Sequence, residues 1–132
     1  MPLTEQERME RFQLALNHGG PSHRISDVRN LIDQGKAQWW SNGDGMIVTT
    51  IDDHPLFRSV HFWLIAGVKS ACLALEHEIL PWAIEEAGCT VATATGRRGW
   101  GRVAAPTGWR PHGCTFYKPL VGGDLWQRGG TR

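Results

Sequence analysis

The chain has a single tyrosine, only three cysteines, almost no net charge and no long apolar run, and each scarcity removes a class of protein. A formal charge of +1 leaves no general basic field for holding a long nucleic acid or an anionic membrane, so any such contact must be local. The longest nearly uncharged apolar stretch, Val60 to Val68, is too short to cross a bilayer and contains a histidine. The first residues, MPLTEQERMERF, are polar and of mixed charge and lack the apolar segment of a secretory signal, so the expected location is the compartment of synthesis. Cys72, Cys89 and Cys114 are odd in number, widely spaced and flanked by apolar residues, which suits reduced, buried thiols better than a disulfide framework. With no CxxC and no HxxxH, and only His112 beside Cys114, no metal site is expected.

What is present is an ordinary globular composition, 41% hydrophobic and 20% charged over 132 residues, which is enough for one core and too little for two. We expect a single domain over residues 1–121 and a glycine-rich tail over 122–132 that is flexible or ordered by a partner. Charge is segregated: Arg97, Arg98, Arg102, Arg110, Lys118, Arg128 and Arg132 face one acid, Asp124, whereas Glu76, Glu78, Glu85 and Glu86 make the middle of the chain acidic.

Thr4 and Glu7 form a capping-box pattern ahead of Phe12, Leu14, Ala15 and Leu16, predicting a helix from Glu5 to Asn17. A shorter one is expected to start at Ser26, turn Val28, Leu31 and Ile32 inward and end at Gly35. Ala37 to Trp40 and Met46 to Ile51 flank Asn42-Gly43-Asp44-Gly45, a hairpin signal, and Arg58 to Val68 reads as a third antiparallel strand. From Ser70 the period becomes helical through Cys72, Leu75, Ile79, Trp82, Ala83 and Ala87 to a stop at Gly88, with the glutamates pointing elsewhere. Pro81 should kink or divide that helix. Cys89 to Thr95 then reads as a buried strand parallel to its predecessor, Arg97 to Ala105 as a short helix stopped by Pro106, and Gly113 to Val121 as a last strand.

The oddest text is Thr95 to Trp109, TGRRGWGRVAAPTGW, with three arginines, four glycines and two tryptophans. In its place along the chain it reads as strand exit, short helix and a Gly108-Trp109 return. That order of elements resembles the GNAT family of N-acetyltransferases over about residues 4 to 121, with the first strand of the family missing. The resemblance implies an α+β fold with a mixed central sheet, three antiparallel strands followed by a parallel one, and helices on its flanks.

The resemblance also sets chemical expectations, most of which this chain does not meet. The family cradles the coenzyme A pyrophosphate on a Q/R-x-x-G-x-G/A turn at the start of the long helix; the matching stretch here, Ala66 to Ala71, lacks the initial Gln or Arg and the glycine spacing. Gly67, Lys69 and Ser70 remain the candidate cofactor-binding residues there, with Arg97 and Arg98 as phosphate partners if acetyl-CoA binds. Where the family often has a tyrosine acid on the short helix, this chain has Trp100, and its one tyrosine is Tyr117 on the expected last strand. His61 is the titratable residue with a useful pKa on the third strand, so His61 and Tyr117 are the catalytic candidates, the former also readable as a structural histidine.

Small GNAT-like proteins without the coenzyme motif occur among tailed-bacteriophage gene products, including internal virion proteins, and this chain resembles that group. The resemblance implies a catalytically degenerate structural or ejection-related component, located in the virion or host cytoplasm, that needs no cofactor. Its partners would be other virion or assembly proteins or copies of itself, with Trp126 and Arg128 of the tail as contact residues. An acetyl-CoA-dependent N-acetyltransferase is the alternative, and arginine-mediated contact with nucleic acid a third reading. Among the seven tryptophans, Trp63 and Trp82 read as core. Trp39 and Trp40 are neighbours in a strand and must face opposite ways, leaving one free for a partner or for the helical layer.

Overall fold

A computed structural model describes residues 3–19, 22–95, 105–112, 118 and 120. Helix α1 spans Glu5–Gly19 and begins on a capping box: Glu7 donates its backbone N–H to Thr4 Oγ1 at 3.1 Å, and Thr4 returns its own to Glu7 Oε1 at 3.2 Å. Phe12 and Leu16 point into the core, whereas Leu14, expected on the same apolar side, is 48% exposed. Helix α2, Ile25–Asp33, starts one residue before the expected Ser26 because Asp27 accepts the Arg24 N–H at 2.8 Å and so fixes the cap there.

The sheet follows from three strands, β1 (Gln38–Ser41), β2 (Gly45–Asp53) and β3 (Arg58–Gly67), paired antiparallel in sequence order. The turn between β1 and β2 joins several elements. Asn42 Oδ1 takes the Gly45 N–H at 2.9 Å, Asn42 Nδ2 reaches the Ala71 carbonyl, Asp44 Oδ1 accepts from Leu3, and the Asp44 carbonyl accepts the Val68 N–H at 2.8 Å. Helix α3, Lys69–Glu85, leads to β4, Val91–Ala94, which pairs parallel with β3. The architecture is therefore α+β, with a four-stranded mixed sheet in the order β1-β2-β3-β4 flanked by helices.

Each face of the sheet carries its own core. Met46 and Val48 of β2 and Leu64 and Ala66 of β3 pack with Phe12, Leu16 and Val28 of α1 and α2. Ile47, Val60 and Phe62 pack with Cys72, Leu75, Ile79 and Ala83 of α3. A regular strand keeps residues two apart on one face, yet Phe62 and Leu64 serve opposite cores. The cause is a bulge: Val48 pairs with Leu64 and Thr49 with Phe62, leaving Trp63 as the extra residue at which β3 changes face.

Several expectations need correcting. Of the two effects expected of Pro81, division of α3 does not occur, since the helix runs unbroken to Glu85; Pro81 and His77, whose carbonyl loses its helical donor, are both exposed, so water can hydrate the freed oxygen. The parallel strand is not buried, since Val91, Thr93 and Ala94 are exposed. Glu76, expected on the solvent side of α3, is 7% exposed. Of the expected short helix, residues 97–104 lie outside the described residues, and Ala105 belongs to a 3-10 turn, Ala105–Thr107, that contains Pro106 instead of stopping before it. The expected last strand also lies outside them except for Lys118 and Leu120, neither of which is in a strand; the tail, 122–132, lies wholly outside. Among the described residues no helix is long and apolar enough to cross a membrane.

Candidate functional site

The point of interest is where β4 parts from β3. Pairing runs from Ser59 opposite Val91 to Phe62 opposite Ala94, and Thr95 N–H still reaches the Phe62 carbonyl at 3.2 Å. Beyond the bulge at Trp63, β3 has no strand partner on its β4 side among the described residues.

On the α3 side this point is closed. The indole of Trp109 meets the Phe62 ring edge-on, with centroids 5.4 Å apart at 77°, and packs against the α3 core. Its Nε1–H donates to Glu76 Oε1, so a carboxylate inside an apolar cluster has a partner. The positive φ of Gly108, 97°, turns the chain immediately before this ring. Neither Trp109 nor Glu76 figured among the candidates from sequence. The signal for Glu76 was there, because positions 72, 75, 76, 79 and 83 make one buried helical arc.

On the opposite side His61 shares a face with Thr50 of β2 and Thr93 of β4. Its Nδ1 hydrogen-bonds Thr93 Oγ1 at 2.7 Å and its Nε2 hydrogen-bonds Thr95 Oγ1 at 3.3 Å. Burial lowers the imidazole pKa below its usual value, with Asp52 opposing. Both ring nitrogens are thus engaged by hydroxyls across the β3–β4 pair. This arrangement ties two strands together through the imidazole.

Gly67 has φ 115°, and a Cβ there would come within 2.2 Å of the Asp44 carbonyl oxygen. Its glycine is explained by that close approach to the β1–β2 turn. Lys69 and Ser70 are exposed in the first turn of α3, whose N-cap, Val68, offers no side-chain hydrogen bond. Tyr117, Arg97, Arg98, Trp126 and Arg128 lie outside the described residues.

Cys72 and Cys89 are free and buried, and Cys114 lies outside the described residues. Burial pushes the Cys72 thiol up to about 11, and its Sγ–H reaches the Ala66 carbonyl at 3.3 Å. Among the described residues no group of three His, Cys, Asp or Glu side chains gathers in the manner of a metal site.

No family model and no curated protein matches the chain. Solved structures do: two forms of TTHA1254 from Thermus thermophilus, a point mutant and the wild type. They share 15% and 16% identity with this chain at TM-scores of 0.58 and 0.57, covering 94% of it and 98% of their own length. At that identity the likeness concerns the fold: this is an α+β domain of the same architecture.

Proposed function

We propose that the chain is a GNAT-like protein without transferase activity that acts through protein–protein contacts, as a structural or ejection-related component of a bacteriophage virion. The observation that carries the loss of activity is Trp109. In a GNAT-like protein an acyl-coenzyme A inserts between the strands that correspond to β3 and β4, and here one side of that opening is closed by an indole fixed to Phe62 and Glu76. His61 supports the same reading, since Thr93 and Thr95 occupy both its nitrogens. The virion role rests on the resemblance of the sequence to small phage proteins. In that role Trp126 and Arg128 contact other virion proteins, and deletion of residues 122–132 abolishes incorporation into particles. Normal incorporation of the truncated chain would contradict it.

An acetyl-CoA-dependent N-acetyltransferase is the second reading, favoured by one feature. Beyond Phe62 the β4-facing edge of β3 is open among the described residues, and it leads to an uncapped helix start beside the exposed Lys69. That reading requires saturable binding of acetyl-CoA, with Trp109 displaced.

A further inference from the structure

Strand β1 is the outer strand of the sheet, and its far edge has no partner among the described residues. Its sequence, Gln38-Trp39-Trp40-Ser41, contains no charge and no proline, two of the devices by which edge strands repel other strands. Its shortness, four residues, is a third such device and limits how many backbone bonds a partner strand can make. The hydrogen-bond pattern says which groups are free. Asn42 donates its N–H to the Gly45 carbonyl at 3.2 Å, making that pair hydrogen-bonded, and antiparallel pairs alternate. Trp40 and Gln38 therefore turn their backbone groups toward β2, and Trp39 and Ser41 turn theirs outward.

The side chains divide in the same way. Trp40 lies on the α3 side, edge-on to Trp82 with centroids 5.1 Å apart, its indole N–H bonded to Thr49 Oγ1. Trp39 is on the other side and meets Phe12 edge-on at 5.7 Å, yet remains 43% exposed; Met9, one turn before Phe12 on α1, is 41% exposed. An open strand edge thus adjoins an exposed tryptophan and methionine, residue types enriched in interfaces.

We propose that β1 pairs antiparallel with β1 of a second copy of this chain, joining two four-stranded sheets across a two-fold axis. With Trp39 opposite Ser41 of the second copy, all four outward backbone groups of each strand are used, giving four hydrogen bonds. Trp40 then lies on the axis against its counterpart. The neutral strand is self-complementary, since an isologous contact sets like against like and no charge on β1 opposes it. This names one partner for the protein-contact reading, and its test makes no reference to coenzyme binding, so the two fail separately.

Sedimentation equilibrium of the full chain over roughly 1–200 µM decides the matter, because a two-fold dimer must respond to concentration by mass action. The expected result is a dimer that Ser41→Pro weakens by more than about tenfold while circular dichroism and melting stay native, because the Ser41 N–H is not used within its own sheet. Trp39→Lys, which keeps that N–H and places one charge on each side of the axis opposite Ser41 of the other copy, should weaken it likewise. Should Ser41→Pro unfold, amide exchange in the wild type reads the same groups: Trp39 and Ser41 are protected in concentrated solution and exchange on dilution. A wild type that is monomeric throughout, or dimers unaffected by both substitutions, overturns the proposal.

Discussion

Gly67 sits at φ 115° with the Asp44 carbonyl where its Cβ would be, so a side chain there meets backbone strain and a backbone clash together. Gly67→Ala should cost about 3 kcal/mol or more, read as a lowered urea midpoint. A loss below about 0.5 kcal/mol, typical of a surface substitution, would mean that the turn gives way. His61 makes a prediction in pH. Its folded pKa lies below the ordinary 6.5, so between those two values the unfolded chain binds more protons than the folded one. Stability should therefore fall as pH drops through 6.5 and level off below the folded value; the ratio of that slope in wild type and His61→Asn checks it. An unchanged slope in the variant would place the proton elsewhere.

The strap from Ala105 to His112 is tied to α3 through the Trp109 indole and Glu76. Trp109→Phe keeps an aromatic ring, though a smaller one, and removes the donor, leaving a buried carboxylate without that partner, and should cost about 1–3 kcal/mol in chemical denaturation. Adding Glu76→Leu should recover part of the loss, because an apolar pair needs no hydrogen bond; a double variant worse than the single one would argue against the pairing. At this scale much was legible in the sequence. The capping box of α1, the Asn42 to Gly45 hairpin and the parallel return after α3 each have a local chemical signature. The bulge at Trp63 had none, because which residue becomes the extra one depends on the competition of two cores for Phe62 and Leu64. Glu76 presents a related conflict: its position on the helical arc puts it inside, its charge argues outside, and a tryptophan 33 residues away resolves the conflict.

Taken whole, the molecule places its separate cores on the two faces of one sheet and closes, on the α3 side, the gap where β4 leaves β3. The candidate site was half legible: the resemblance pointed to the strand pair, but the Trp109 contact joins residues distant in sequence and no spacing rule encodes it. In the function proposed above, this gap, closed on one side by Trp109, does not serve a coenzyme. The decisive experiment is a calorimetric titration of the full chain with acetyl-CoA. No saturable heat is expected up to millimolar ligand, corresponding to less than about 4 kcal/mol of binding free energy. Saturation at micromolar concentration, with displacement of the Trp109 indole seen as a change in tryptophan fluorescence, would contradict it.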